Sequence, residues 1–313
     1  MMSVLMAYLG VVLIWATTPL AIQWSSGGIS FMAAVSLRML VALVIGLSLL
    51  GLLRRNLFCE ANDWQRYGVA ALGIFPNMPL VYWSAQFIPS GLIALIMGLS
   101  PFITGVMSML LLRENPFNGR RIAALAIALA GLAVIYTDQL SLGDKAVYGV
   151  SGMLLSCFFF SFCSVWLKRL GGNIDPLRQT TGTLLMSVPA LLVSWWLLEG
   201  SWPQHWSSRT VLSIGYLSLF GSMLGFSLYF YILRHLSVNT VSLTYLITPV
   251  LAICVGVFVA GEQVSAQLLG GAAMVVLSLG LYQGLSPQVI ARIARIARIG
   301  SRGPRRRPAA DVD

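Results

Sequence analysis

One arginine stands where a charge is hardest to keep. Arg38 lies inside the apolar run SLRMLVALVIGLSLLG, and none of the chain's apolar runs holds a carboxylate to neutralise it. A charge at the centre of a membrane helix costs about 2.5–3.5 kcal/mol on insertion scales, so such residues mark ion or ligand paths by default. Two readings stand for Arg38. It is a structural pin held by carbonyls or water, or it is a donor fork for a ligand carboxylate. Pro76-Asn77-Met78-Pro79 falls in mid-run. Its two prolines remove backbone donors and release carbonyls that Asn77 could use, either as a packing kink or beside a wet cavity. Pro19, Pro101, Pro189 and Pro249 interrupt four further runs, as in helices bent around a centre. Trp15 and Tyr245 sit near mid-run, where an interfacial belt does not explain them, and are read as cavity wall. Tyr82, Trp83 and Tyr231 lie nearer the ends and read as interfacial anchors. Trp15, Arg38, Asn77, Pro101, Tyr245 and Pro249 are thus expected around one midplane cavity.

No catalytic constellation accompanies them. The chain has no G-x-x-x-x-G-K-[ST] loop, no G-x-S-x-G and no H-E-x-x-H, and its only histidines are His205 and His235. The reading therefore includes no catalytic residue, no metal and no cofactor. Cys59, Cys157, Cys163 and Cys254 contain no C-x-x-C pair and read as small hydrophobes. Glu114 and Glu262 end apolar runs; they mark a membrane surface or serve as proton sites. With no acid at mid-run, neutral, zwitterionic or anionic ligands are favoured over cations.

The elements that must position these residues follow from composition. The chain has 313 residues, 58% apolar and only 10% charged. A soluble domain carries about 25% charged residues, so this is an all-α polytopic membrane protein. Ten apolar runs are long enough to span, at 3–23, 31–53, 65–86, 89–112, 120–137, 147–167, 177–198, 210–233, 237–260 and 266–285. The third and fourth are separated only by Gln86, Pro89 and Ser90. The N-terminus lacks a positive n-region and reads as a retained first span. With both termini inside, seventeen of the twenty Lys and Arg face the cytoplasm. Lys145 and Arg209 lie opposite, and Arg38 lies within a span. The net charge of +10 belongs to this bias and does not point to nucleic acid. Membrane lipids and a small molecule are the expected partners; oligomeric state stays open.

A shift of 148 residues places Gly73 on Gly221, Leu80 on Leu228, Leu95 on Leu243, Pro101 on Pro249 and Glu114 on Glu262. Five spans per copy would force the two copies to be inverted in the bilayer, with a site where they meet. The expected units are 1–137, 146–285 and a basic cytoplasmic tail, 286–313. In the tail, Arg292, Arg295 and Arg298 reinforce the inside topology or lie on an anionic leaflet.

Trp15 in LIWATTP, Arg38 in SLRML, and a P…E pattern before a Gly-rich fifth or tenth span complete the picture. The last is SPFITGVMSMLLLRE with AALAIALAGLAVIY, and TPVLAICVGVFVAGE with LLGGAAMVVLSLGLY. In these the chain resembles the EamA-type transporters of the drug/metabolite transporter (DMT) superfamily. The seventh span has no arginine matching Arg38. The resemblance implies an inner-membrane exporter of amino acids or small metabolites, working without ATP hydrolysis by alternating access around a central cavity. The rival readings are a membrane-embedded lipid-modifying enzyme, a channel and, within the superfamily, a nucleotide-sugar or sugar-phosphate exchanger.

Overall fold

The computed structural model describes residues 4–60, 62–113, 117–141, 145–171, 174–200, 202–203, 206–236, 241, 244–261 and 265–284. For residues 136–141, 245–247 and 283 it describes the backbone alone. Every regular element among the described residues is helical. They are α1 (Val4–Ser25), α2 (Phe31–Leu52), α3 (Asp63–Ala71), α4 (Asn77–Ser84), α5 (Ser90–Met97), α6 (Ser100–Leu111) and α7 (Gly119–Ser141). Then follow α8 (Ala146–Leu170), α9 (Pro176–Leu198), α10 (Ser208–Tyr216), a π-helical segment (Leu217–Leu224), α11 (Gly225–His235), α12 (Thr244–Ala260) and α13 (Ala266–Gln283). Six stretches are long and apolar enough to cross a membrane: α1, α2, Ser90–Leu111, α8, α9 and Ser208–His235. Shorter apolar helices accompany them, and large side chains such as Leu13, Trp196, Phe258 and Leu277 point outward. An outer surface this apolar is what lipid requires.

The breaks have local causes. Pro89 is extended and caps α5, so the weak boundary at Gln86–Ser90 is a real turn. Pro76 caps α4, and residues 72–76 leave the α-helical path before it, as two missing donors demand. Pro101 does not kink a helix from within; it occupies the first turn of α6, after a break at Gly98 and Leu99. There its absent N–H has no intrahelical partner to lose. Pro19, Pro189 and Pro249 do lie inside helices.

Packing interleaves early and late helices. α1 lies against α10, α11 and α12, while α8 lies against α3, α4, α5 and α6. Down the middle, α2 meets α9, α5 meets α12 and α7 meets α13. Lipid supplies no hydrophobic drive between helices, so close contact relies on small residues. At the α7–α13 crossing, a Cβ on Gly131 would stand 2.9 Å from the Gly271 carbonyl oxygen. A Cβ on Gly98 would come within 3.5 Å of the Pro249 ring, which brings the two proline-bearing stretches together. Glu114, Glu262, the Tyr245 side chain and the Arg-rich tail lie outside the described residues.

Candidate functional site

Ser30 accepts a hydrogen bond from the Ala33 amide and so caps α2, which sets Arg38 two turns into the bundle. The Arg38 side chain is 1% exposed. Its Nε donates to Ser222 Oγ at 2.8 Å and its Nη1 to the Tyr82 hydroxyl at 3.3 Å, with the guanidinium 5.9 Å from the Tyr82 ring centroid. Both partners are hydroxyls, from α4 and from the π-helical segment, and not the carbonyls or water expected. Tyr82 is fully buried, so it is no interfacial anchor; its hydroxyl is drawn inward by the charge it solvates. Among the described residues no carboxylate pairs with Arg38.

Room for the guanidinium comes from Gly221, where a Cβ would lie 3.0 Å from Arg38 Nη2. Gly225, one turn on, packs toward Ile14 and the Trp15 indole nitrogen. The two glycines therefore do different work, one clearing the charge and one closing a helix contact. The π-helical segment that carries Gly221 and Ser222 widens the turn at this point, a distortion that recurs at functional sites.

Arg38 and Trp15 line one cavity of about 60 Å³, with Thr18, Pro19, Met78, Met97, Phe160, Gly221, Phe226 and Thr248 among its other walls. That volume holds a few waters and falls short of the roughly 300 Å³ at which ligand pockets begin. Trp15 is braced by Tyr229 and Phe160, at centroid distances of 5.3 and 6.1 Å. Thr18 and Thr248 donate to their own helices, at Ile14 O and Thr244 O. Their hydroxyl protons are thus spent, and their free lone pairs can only accept.

Three residues expected here are elsewhere. Asn77 donates to the Gly73 carbonyl at 2.8 Å and accepts from Ser156, so its amide is used up in holding the α3–α4 break against α8. Pro101 and Pro249 are buried but do not line this cavity; they shape the helices behind it. Tyr82, Ser222 and Phe226 were missed. Hydroxyls and phenylalanines are ordinary in apolar runs, and by sequence position Tyr82 reads only as an interfacial anchor. Among the described residues no three His, Cys, Asp or Glu side chains gather into a metal-capable group.

Two further cavities lie nearby, each sharing wall residues with the one before it. The second, about 20 Å³, shares Phe160 and Phe226 with it and adds Cys163, Ser164 and Tyr229. The third, about 350 Å³, shares Leu167, Phe230 and Leu233 with the second and is rimmed by Arg66, Lys168 and Arg234. This basic end is tied by ion pairs: Asp63 with Arg178 at 2.9 Å, Arg66 with Glu60 at 2.8 Å, and Arg55 with Asp175 at 3.0 Å. Burial of Asp63 works to raise its carboxyl pKa. The amides of Cys59 and Glu60 together with Arg178 and Arg66 outweigh that, and the carboxyl is held below its ordinary range. The far end is tied by hydrogen bonds. Ser30 donates to Glu199, Thr210 to the Gly27 carbonyl at 2.9 Å and Gln23 to the Ile88 carbonyl at 2.9 Å, while Arg209 covers the Trp24 ring.

Comparison with known proteins agrees with this architecture. The EamA-like transporter family matches twice, over residues 1–137 and 147–282. The uncharacterized transporter YoaV of Bacillus subtilis is 23% identical over 277 residues, 88% of this chain and 94% of its own. The uncharacterized inner membrane transporter YedA of Escherichia coli K12 is 26% identical over 216 residues, 66% of this chain and 68% of its own. A solved structure described only as "Crystal structure of protein" aligns with a TM-score of 0.66 at 18% identity. It covers 92% of this chain and 98% of its own, and shows likeness of fold. With both matches together covering most of its length, the chain is a member of the EamA-like transporter family of the DMT superfamily, a multi-pass membrane transporter.

Proposed function

We propose that the protein exports small carboxylate-bearing metabolites, neutral or zwitterionic overall and of the amino-acid kind, across an inner membrane. Ten spans form two inverted five-helix repeats, 1–137 and 146–285, that alternate around the Arg38 cavity. Both termini lie in the cytoplasm. Three observations support the repeats. The family matches the chain twice in succession. The 148-residue shift aligns Pro101 with Pro249. The packing of α1 on α10–α12 mirrors that of α8 on α3–α6. The basic end is the cytoplasmic one by its arginines.

One observation carries the substrate class. Arg38 is buried with two hydroxyls for partners and, among the described residues, no acid, beside a cavity whose threonines can only accept. A carboxylate arriving there gains charge-assisted hydrogen bonds from the guanidinium, and a substrate ammonium group finds the Thr18 and Thr248 oxygens. At about 60 Å³ the cavity must widen to hold such a ligand, which suits a carrier passing through a constricted state.

The test is counterflow of amino acids and related metabolites in proteoliposomes. Arg38→Lys keeps the charge and loses the fork geometry, and should slow transport while the protein stays folded. Arg38→Gln should lose about tenfold or more for acids, and much less for their amides or esters. Unchanged rates for acids and amides alike in Arg38→Gln would overturn the assignment. If neither variant accumulates as folded protein, Arg38 is a structural pin.

A further inference from the structure

We propose that the 350 Å³ cavity at the basic end is a separate capture site for small carboxylates, formed by Lys168 and Arg234. It deepens the transport reading above, supplying the first of two cationic stations on one path.

The charges around the cavity decide which groups are available. Arg66 lies on its wall but is taken by Glu60 and Asp63, and Arg178 nearby is taken by Asp63. Arg55 is taken by Asp175. Lys168 and Arg234 have no ion-pair partner among the described residues, and both are exposed on the wall. They come from the ends of two helices, α8 and α11, that converge on one opening. The Gln179 amide nitrogen is directed to the Arg66 carbonyl and the Thr183 hydroxyl, both at 3.4 Å. Cations beside a low-dielectric wall concentrate anions by one to three orders of magnitude.

The position of the cavity separates it from a general surface charge. Its inner wall is Leu167, Phe230 and Leu233, which also bound the second cavity, and beyond Phe160 and Phe226 lies Arg38. An anion held at Lys168 and Arg234 thus faces an apolar neck with the next cation behind it.

The test needs no transport, so it stands apart from the Arg38 experiment. With Cys59 and Cys254, the two exposed cysteines, replaced by serine, Ile174→Cys places a thiol on the cavity wall. The probes are an anionic sulfonatoethyl and a cationic trimethylammonioethyl methanethiosulfonate, each normalised to its rate with free mercaptoethanol. The protein is held in nanodiscs of zwitterionic lipid. The anionic preference at Ile174→Cys should exceed by about tenfold that at native Cys59, read separately in protein with only Cys254 replaced; Cys59 lies at the same end outside the cavity. Lys168→Gln with Arg234→Gln should abolish the difference, and acetate but not acetamide should protect the thiol. Equal preference at both positions would mean a face-wide potential and would overturn the site. Anionic lipid that removes the preference, with no protection by acetate, would assign the cations to lipid headgroups and overturn the carboxylate. Should the double variant not fold, acetate protection and salt screening in the unsubstituted background decide the same question.

Discussion

The two ends of this bundle are held by different chemistry. The basic end is tied by ion pairs around Asp63 and still leaves a cavity of about 350 Å³. The far end is tied by neutral and mixed hydrogen bonds from Ser30, Thr210 and Gln23, with Arg209 over Trp24. Among the ion pairs, Asp63–Arg178 joins α3 to α9, Arg55–Asp175 joins the α2–α3 loop to the start of α9, and Arg66–Glu60 is local. The far-end hydrogen bonds link α1 to the turn before α5, the start of α2 to the end of α9, and α10 to the α1–α2 loop. Position relative to the path is what makes a contact a latch.

The contrast breaks first under a covalent lock. Ser30→Cys with Glu199→Cys joins the α2 cap to the end of α9, in a background with the exposed native cysteines replaced. If the far end must part for release, oxidation should abolish counterflow and reductant should restore it. Undiminished transport by the oxidised protein would mean that this contact is scaffold.

The basic end makes the opposite demand, because its ion pairs are structural. Asp63→Asn leaves Arg178 against an amide and should destabilise the protein by about 2–3 kcal/mol, near the lower limit for a broken buried pair. The readout is thermal unfolding in detergent, with vestibule labelling unchanged. The pH dependence has a definite sign. The folded Asp63 pKa lies below the unfolded value near 3.8, so its contribution is full above pH 3.8 and is lost as pH falls through the folded pKa. The stability gap between the parent and Asp63→Asn should therefore be flat from pH 8 to pH 5 and close only in stronger acid.

The smallest effect belongs to neither end. Ser222→Ala strands Arg38 Nε on the cavity wall and should cost about 1–2 kcal/mol, while leaving the labelling pattern of both ends intact. A loss shared by the far-end latch would tie the π-helical segment to that gate.

What could be read from the residues was the exceptional. A lone charge in an apolar run identifies Arg38, and a doubled proline identifies the break before Asn77, because both violate local rules that lipid enforces. The partners were not legible. Ser222 and Tyr82 are common residue types whose value comes from lying 184 and 44 positions from Arg38. Asn77 had the right chemistry for a ligand, but Ser156, 79 positions away, already occupies its oxygen. The π-helical segment has no residue signature beyond the close pair Gly221 and Gly225. Polar and proline residues announce that something must compensate them, but not what does.

The interleaving of α1 with α10, α11 and α12 has a consequence for how the protein is made. Translation delivers α1 about two hundred residues before the helices that cover it. In that interval α5 already packs on α1, but the part of its inward face with Gly10 cut for Leu228 and Trp15 set for Tyr229 waits for its partners. Long-range pairing of this kind is slow to form. α1 is thus inserted early and recruited late, and a nascent chain stalled before α10 is an orphan that quality control can recognise by that uncovered groove.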